Sequence, residues 1–520
     1  MPLASLPYIP APRRRFFALG IFAVWLGIVV FLAANHVMWR DEVRALSLAL
    51  EGDNIFGMFA AVHGEGHPTL WYILLRAAHT LFPTPLVLPI VALSVAAAAL
   101  FLLARFSPFG WPLIIALFAT RFALFEYTVM ARNYGISMLL MFLLAIFYEK
   151  HRRKGFLPGA LLFLLANTNV PSAILAGEFL LFWAWDAWSD KDSRRESLKA
   201  FLPNAALALL GILVCAVTVY PPFNDAAMMH KGGDDAWRAI STGMISPATL
   251  MYSLVLDPAF VHVVTILCPS LVQYLPVVMS LVMVGATLGL IRRPGACVAA
   301  LAGLFGISLF FSLVYPGGYR HSAVWIVFLV SLYWIAGPPK KPSRVAGIGT
   351  ALFVVLILLQ IQQGVLSVLQ TFADPPVSRS REVGAFIASR PDLKDAIILG
   401  DPDYVLEPLP YYVSNRTFLL RQNKFGRVVA FTRNNVRVHM TLADILEVAQ
   451  NLHRTEGVPV VILLAVRLNA DNPPMLYNES CWELATTPDQ IRAFQAATTL
   501  EKSFAPALVD ESYDVYTLKE

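Results

Sequence analysis

The sequence predicts a polytopic α-helical membrane protein with a C-terminal α/β domain, and three observations support this fold class. First, 57% of the residues are hydrophobic and 14% are charged, whereas ordinary soluble domains are roughly 25% charged. Second, apolar residues occur in runs of about twenty, the length of helix that crosses ~30 Å of hydrocarbon. Third, the composition changes to that of a soluble domain after residue 370.

The apolar runs predict about eleven membrane spans. They lie near residues 16–36, 86–105, 109–127, 133–149, 156–171, 172–188, 200–220, 271–291, 295–314, 321–337 and 345–367. Basic segments lie in every second connection, at Arg13 to Arg15, 150–154, 191–199, Arg292-Arg293 and 340–344. The positive-inside rule makes that side cytoplasmic, which predicts an N-in, C-out orientation. Within 221–270 we predict a loop and then an amphipathic or re-entrant helix at 246–268, without a span.

The chain divides into a membrane domain at 1–369, with a large outward loop at 37–85, and a soluble outward-facing α/β domain at 370–520. Strands are predicted at 396–399, 460–466 and 513–518, and helices at 382–389 and 442–453. We find no Gly-rich nucleotide-binding loop in the soluble domain, which we expect to cap a cavity in the membrane domain.

The outward loop begins with a charged motif that contains Asp41, Glu42 and Arg44. Residues 41–50 suit a helix in the membrane interface. Asp41 and Glu42 differ by about 100° around such a helix, so they do not face the same target. We predict that Asp41 is the one that enters a site. The alternative is that Asp41 only caps the helix, a position that aspartate favours.

Further along this loop, His63, Glu65 and His67 are spaced two and four residues apart. Such residue types bind divalent metals, and these three are the secondary candidates for a metal site. The glycines between them indicate a flexible loop rather than a preset ligand face. We therefore favour a hydrogen bond from His67 to a phosphate, with a solvated loop as the other alternative. No other cofactor is predicted.

Two arginines lie at the outward ends of later spans. Arg132 precedes one span, and Arg320-His321 begin another. The forked donors of arginine suit phosphate, although many such arginines only reach toward interfacial water. Glu126 is close enough to Arg132 to be a further candidate. Together these residues suggest a site for an anionic lipid headgroup.

In their order and sidedness, these motifs resemble the GT-C superfamily of integral membrane glycosyltransferases. The resemblance rests on Asp41-Glu42-x-Arg44, a Pro-x-Leu-Trp-Tyr helix start at 68–72, Arg132-x-Tyr134 and the Tyr319-Arg320-His321 turn. Within that superfamily the chain is similar to the bacterial branch related to protein O-mannosyltransferases and lipid A aminoarabinose transferases.

The resemblance implies an inverting transfer of a monosaccharide from a polyprenyl-phosphate donor to a cell-envelope acceptor, namely a lipid such as lipopolysaccharide, a glycan or a protein. It places Asp41 at the catalytic centre with Glu42 beside it. It also implies a multi-pass protein of the bacterial plasma (inner) membrane whose site faces the periplasm or exterior. The substrate-binding candidates are then Arg44, His67, Tyr72, Glu126, Arg132, Tyr134, Tyr319, Arg320 and His321.

One departure from the family pattern bears on the donor. The aminoarabinose branch has Lys-Pro-Pro where this chain has His67-Pro68-Thr69. Because that lysine helps to hold the donor phosphate, His67 is expected to do so less strongly or with a pH dependence. The departure argues against aminoarabinose as the donor sugar.

Two other functional classes remain open from the sequence. A transporter or lipid flippase with an outward accessory domain has a similar layout, but transporters commonly show two related halves. No repeat is visible here, and the charged candidates cluster at one face, which favours an enzyme. A non-catalytic lipid-binding or assembly subunit is the third class. Nucleic acid is not an expected partner, because the basic residues are dispersed.

Overall fold

The structure, a computed structural model, describes residues 11–220, 236–338 and 343–519. The predicted loop at 221–235 and the basic residues Lys340 and Lys341 lie outside the described residues. The described chain forms a helical region up to Gln370 and an α/β region after it.

The helical region contains long apolar helices together with shorter helices that connect them. The α-helices are α1 (Ala11–Asn35), α2 (Arg40–Leu50), α3 (Ile55–Val62), α4 (Leu70–Leu81), α5 (Val87–Phe106), α6 (Trp111–Phe118), α7 (Tyr134–His151), α8 (Leu157–Ala166), α9 (Val170–Ser189), α10 (Arg194–Val219), α11 (Ala236–Ile245), α12 (Pro247–Leu250), α13 (Tyr252–Val255), α14 (Pro258–Leu267), α15 (Leu275–Thr287), α16 (Pro294–Leu313), α17 (Tyr319–Ala336) and α18 (Arg344–Gln370). A π-helical segment follows α6, and two 3-10 segments flank α15; they span Phe122–Glu126, Pro269–Tyr274 and Leu288–Leu290.

Seven helices among the described residues are long and apolar enough to cross a membrane. They are Phe17–Asn35, Val87–Phe106, Arg194–Val219, Pro269–Leu290, Pro294–Leu313, Tyr319–Ala336 and Arg344–Gln370. Each coincides with one of the predicted spans. Such helices can leave apolar side chains on their outer surface because lipid, rather than water, surrounds them.

The other four predicted spans fall on helices outside this set. Residues 109–127 are divided between α6 and the π-helical segment, and 156–171 contain the short helix α8. Helices α7 and α9 are long but carry acidic residues such as Glu149 and Asp186. The count of about eleven spans and the N-in, C-out orientation therefore stay predictions. Residues 246–268 fold into three short helices that each begin at or near a proline or turn.

The C-terminal region has a mixed six-stranded sheet and a smaller three-stranded sheet. Its strands are β1 (Ile397–Asp401), β2 (Thr417–Leu419), β3 (Lys424–Phe425), β4 (His439–Thr441), β5 (Val460–Leu464), β6 (Met475–Glu479), β7 (Trp482–Thr486), β8 (Thr498–Phe504) and β9 (Tyr513–Leu518). Its helices are α19 (Ser380–Ala388), α20 (Leu442–Glu456) and α21 (Pro488–Ala497). The strands predicted at 396–399, 460–466 and 513–518 correspond to β1, β5 and β9, and the helices predicted at 382–389 and 442–453 correspond to α19 and α20, so these five predictions are confirmed.

The larger sheet has the order β3-β2-β1-β5-β9-β8. Its centre is parallel, with Ile397 of β1 opposite Val460 of β5. Both strands are buried along their whole length, which explains why they are continuous apolar runs. The strands β9 and β8 continue the sheet in antiparallel fashion.

The α/β region packs directly on the segment that leads into α2. The Met38 carbonyl accepts hydrogen bonds from Ser380 Oγ at 3.1 Å and Tyr412 Oη at 2.8 Å. Arg40 donates through Nη1 to Asp510 at 2.9 Å and through its backbone N–H to Glu511 at 3.0 Å. These contacts fix the start of α2 between the two regions of the chain.

Candidate functional site

A cavity of about 390 Å³ lies where the helical region meets the α/β region. One wall is polar and comes from α2, the loop before α4 and the beginnings of α7 and α17. Another wall is apolar. The lining residues are Arg40, Asp41, Arg44, Ala45, Gly64, Glu65, Gly66, His67, Tyr72, Arg132, Tyr134, Asn169, Val170, Pro171, Val219, Phe310, Val314, Tyr315, Arg320, His321, Glu407 and Phe431.

Helix α2 presents Asp41 to this cavity. Trp39 precedes the helix in an extended conformation, and the helix has two carboxylates in its first turn, where the helix dipole favours negative charge. Its residues from Glu42 to Ala49 are buried. Arg44 follows Asp41 by three residues and Arg40 by four, about one helical turn, so it shares the cavity side with them.

Three arginines surround the Asp41 carboxylate. Arg320 Nη2 donates to Asp41 Oδ2 at 3.1 Å, Arg132 Nη1 lies 4.0 Å from the same oxygen, and Arg40 Nε lies 3.8 Å from Oδ1. Arg132 also donates to the Asp41 backbone carbonyl. Burial would raise the pKa of Asp41, but the charges of these arginines outweigh it and hold that pKa well below the ordinary value. The cluster therefore carries an excess of positive charge.

His67 lies on the other side of Arg132. Its Nε2 accepts a hydrogen bond from Arg132 Nη2 at 3.2 Å. Burial and the charge of Arg132 lower the pKa of His67 to about 3, so the ring is neutral at physiological pH. Gly64 and Gly66 have φ of 86° and 84°, a region that favours glycine, and they bring the loop back into the cavity before His67.

Two lining groups beside the arginine cluster lack a hydrogen-bond partner among the described residues. They are Arg320 Nη1 and the hydroxyl of Tyr134, which are both buried. Buried polar groups are normally hydrogen-bonded, so these two are suited to bind a ligand. His321 accepts the Gly318 N–H through Nδ1 at 3.0 Å, and its ring packs edge-on against Tyr134 with centroids 5.5 Å apart.

The acidic end of the cavity consists of the carboxylates of Glu65 and Glu407, and both are paired with Arg44. Arg44 donates to both oxygens of Glu65, at 2.5 and 2.8 Å, and through Nη1 to Glu407 Oε1. Glu407 belongs to the α/β region and is fully buried. Burial raises the pKa of Glu407 to about 7 against the opposing charge of Arg44. The prediction that Arg44 lies at the site fits this position, but its donors are already occupied by Glu65 and Glu407.

Glu42 does not line the cavity, so the prediction that it is catalytic does not fit its position. Its side chain is fully buried on a different face of α2 from Asp41. Oε1 accepts the Ala131 N–H at 2.6 Å, and Oε2 accepts from His36 Nε2 at 2.7 Å. Glu42 thereby ties α2 to the turn that carries Arg132.

We expect Glu42→Gln to lower the melting temperature by several degrees, because its amide would place a donor against a buried donor, a mismatch worth about 1–3 kcal/mol. Melting of the purified protein in nanodiscs measures this. Glu51→Gln is the matched control, because Glu51 follows the same helix and is exposed. Normal melting with loss of activity in Glu42→Gln would instead return Glu42 to the chemistry.

Two other predicted binding residues lie outside the cavity. Glu126 accepts from Arg121 Nε and Nη2 at 3.1 and 2.7 Å and borders a separate cavity of about 200 Å³. The hydroxyl of Tyr319 donates to Gln360 Oε1 at 2.7 Å. Their side chains are occupied within the protein, so the prediction that they bind substrate does not fit. Tyr72 and Tyr134, in contrast, line the main cavity.

The secondary candidates for a metal site do not form one in the part of the chain that the structure describes. Within it, no group of three or more His, Cys, Asp or Glu side chains is placed to hold a metal ion. Glu65 is paired with Arg44, and His63 ends helix α3 without lining the cavity.

Several lining residues were not predicted from the sequence. Arg40 precedes Asp41 and is on the same helix, so its position could have been found from the helical spacing. Asn169 accepts the Ser172 N–H at the start of α9. Glu407 and Phe431 come from the α/β region, and no local pattern indicates that they lie beside α2.

Among the solved structures, five chains are similar to this one. No known family and no curated protein matches the chain. The cryo-EM structure of the arabinofuranosyltransferase AftD from Mycobacteria is similar over 98% of this chain and 40% of AftD, at 13% identity and a TM-score of 0.38. The chain thus spans less than half the length of AftD. Fold and site together define a helical protein with candidate membrane spans and a charged cavity covered by an α/β region.

Proposed function

We propose that this protein is an inverting glycosyltransferase that moves a monosaccharide from a polyprenyl-phosphate donor to a cell-envelope acceptor on the outer side of a bacterial inner membrane. The observation that carries the proposal is the Asp41 carboxylate among Arg40, Arg132 and Arg320 in a cavity with an apolar wall. The order of its sequence motifs, which resembles that of GT-C enzymes, supports the same function.

The arginine cluster suits the phosphate of the donor. Arg320 has an unpartnered buried donor, and planar forked donors bind phosphate oxygens in pairs. The single carboxylate of Asp41 does not neutralise three arginines, and a phosphate that enters the cluster compensates the remaining positive charge. The hydroxyl of Tyr134, which has no partner among the described residues, supplies a further polar contact to the same group.

The apolar wall suits the polyprenyl chain. It contains Val170, Val219, Phe310 and Val314, from the ends of α9, α10 and α16. Because α10 and α16 are long enough to cross a membrane, the wall is continuous with the hydrocarbon region. A lipid phosphate can then reach the arginines while its tail stays in an apolar environment.

The proposed reaction is a single displacement at the anomeric carbon. The acceptor hydroxyl attacks that carbon from the side opposite the phosphate, and Asp41 takes the hydroxyl proton as general base. The bond from the anomeric carbon to the phosphate oxygen breaks, and its electron pair leaves with polyprenyl phosphate. Arg132 and Arg320 stabilise the charge that develops on the leaving group, and the product has inverted configuration.

Donor binding also adjusts the base. In the empty cavity the arginines hold the pKa of Asp41 well below its ordinary value, which makes it a weak base. A bound phosphate compensates those arginines and raises the pKa of Asp41. The carboxylate therefore becomes a better proton acceptor when the donor is in place.

The test is release of polyprenyl phosphate from a panel of polyprenyl-phosphate sugars by the purified protein, with and without an extract of envelope acceptors. We expect acceptor-dependent release from one class of sugar, with transfer of that sugar to the extract. Binding of the donors without release would favour a transporter or flippase, and absence of binding to any polyprenyl phosphate would overturn the proposal.

A further inference from the structure

The acidic end of the cavity has a feature that the phosphate chemistry does not use. Glu407 is fully buried and lines the cavity. Its Oε1 accepts from Arg44 Nη1 and from the Val429 N–H at 2.8 Å. Its Oε2 has no hydrogen-bond partner among the described residues. An unpartnered carboxylate oxygen in a buried position is costly, so this oxygen indicates a place for a ligand donor.

The cavity is polarised along α2. The arginine cluster lies at the first turn, beside Asp41, and the carboxylates of Glu65 and Glu407 meet Arg44 one turn further. One turn corresponds to a rise of about 5 Å, which is comparable with the width of one sugar ring. A sugar phosphate with its phosphate at Arg132 and Arg320 therefore directs its distant hydroxyls toward Glu407.

The wall beside Glu407 is aromatic. Phe431 lines the cavity next to it and is held in place by a stacked contact with Trp482, with centroids 5.8 Å apart and rings 8° from parallel. Arg44 also lies over the Phe431 ring, 5.3 Å from its centroid. A fixed apolar surface next to a hydrogen-bond acceptor suits a sugar, which combines hydroxyls with apolar C–H groups.

We propose that Glu407 of the α/β region recognises a hydroxyl of the donor sugar on the side of the ring opposite the anomeric carbon. The inference rests on the proposed function and deepens it. It assigns the phosphate to the membrane helices and the choice of sugar to the α/β region. Arg44 and the Val429 N–H position Glu407 by holding Oε1, which leaves Oε2 for the hydroxyl.

The test compares Glu407→Gln with wild type on three probes. They are polyprenyl phosphate, the polyprenyl-phosphate sugar that the wild type binds best, and its deoxy analogues that lack one distant hydroxyl each. Removal of the recognised hydroxyl should weaken wild-type binding about tenfold, the difference expected for a charge-assisted hydrogen bond. Glu407→Gln should bind the complete donor about tenfold more weakly and lose little more when that hydroxyl is removed.

Polyprenyl phosphate is the internal control, because it lacks the sugar and should bind equally to both proteins. Glu382→Gln is the matched variant. Glu382 also belongs to the α/β region and is also paired with an arginine, but it lies outside this cavity. Glu407→Asp keeps the negative charge, but its shorter side chain moves the carboxylate away from the sugar. This variant should therefore behave like Glu407→Gln if contact with the hydroxyl matters.

Three results would overturn the inference. Equal loss of binding for polyprenyl phosphate and for the donor would mean that Glu407 only supports the fold. If removal of each hydroxyl weakened binding to Glu407→Gln as much as it weakens binding to the wild type, Glu407 would have no part in sugar recognition. Failure of the wild type to bind polyprenyl phosphate would remove the proposed function itself, and this result is distinguishable because it needs no variant.

Discussion

Asp41→Asn is expected to lower kcat by a factor on the order of 10³, because it removes the proposed base, whose contribution is typically 10²–10⁴. The same change should strengthen binding of polyprenyl phosphate by roughly tenfold, because an anion is removed from the arginines that bind phosphate. Loss of turnover with tighter binding is an unusual combination. It is measured by single-turnover release from the preferred donor together with equilibrium binding of polyprenyl phosphate.

The matched control is Asp374→Asn. Asp374 also pairs with an arginine, since its Oδ1 accepts from Arg379 Nη2 at 2.7 Å, but it is 84% exposed and does not line the cavity. This variant should turn over nearly as the wild type does. Equal turnover by Asp41→Asn and wild type would exclude Asp41 as the base. Weaker phosphate binding in Asp41→Asn would mean that Asp41 mainly organises the arginines.

The pH dependence gives a second check on Asp41. Because the neighbouring arginines hold the pKa of Asp41 well below its ordinary value, the carboxylate of the free enzyme stays ionised between pH 5 and 8. Protonation of Asp41 should therefore cause no decline of wild-type kcat/KM on the acid side of this range. His67, with its pKa lowered to about 3, should not contribute a decline there either.

Arg320→Gln is expected to lower kcat/KM by about 10²–10³, the effect of removing one preorganised donor from a developing anion. Arg320 donates a hydrogen bond to the Asp41 carboxylate at 3.1 Å, and its Nη1 has no partner among the described residues. Its loss should also raise the pKa of Asp41, since one of the lowering charges disappears. The acid-side decline of kcat/KM should then move to higher pH than in the wild type.

Arg320→Lys separates charge from geometry. Lysine keeps the positive charge but lacks the fork, so this variant should retain the pH profile better than Arg320→Gln while still binding phosphate weakly. Arg292→Gln is the control for loss of one positive charge, because Arg292 is exposed near the opposite end of α16. A wild-type kcat/KM in Arg320→Gln would show that the arginine only anchors α17.

The two regions of the chain contribute different parts of the proposed site. Asp41, Arg132 and Arg320 come from the helical region, where α2 and the starts of two long helices meet. Glu407 and Phe431 come from the α/β region, which is held on α2 by Arg40, Arg44 and the carbonyl of Met38. The proposed site therefore depends on docking of the α/β region, and a change at that contact is expected to affect turnover as well as stability.

The sequence was sufficient to identify the polar residues that meet at one end of the cavity. Asp41, His67, Arg132, Arg320 and His321 stand out because charged residues are rare in an apolar chain and costly near lipid. The alternation of apolar runs and basic loops predicts that these residues lie on the same, outward side. The buried strands β1 and β5 were likewise visible, because a central parallel strand is a short continuous apolar run.

The partners of each side chain were decided by the tertiary structure. Glu42 and Asp41 are neighbours in the chain, yet one is fully buried against the Ala131 N–H and the other faces the cavity, because the phase of α2 separates them. Glu126 and Tyr319 looked equally suited to a site, but Arg121 and Gln360 occupy their polar groups. A local pattern gives the type and direction of a side chain and does not reveal a competing partner from another helix.

By itself, then, the sequence determined the membrane-helical class, the α/β region and the charged end of the cavity, because hydrophobic periodicity and the cost of charge near lipid are local properties. Only the tertiary structure placed Glu407 and Phe431 beside α2, more than 350 residues away in the chain. Contacts at that separation depend on how the two regions dock, and docking is governed by surface complementarity that no single segment encodes.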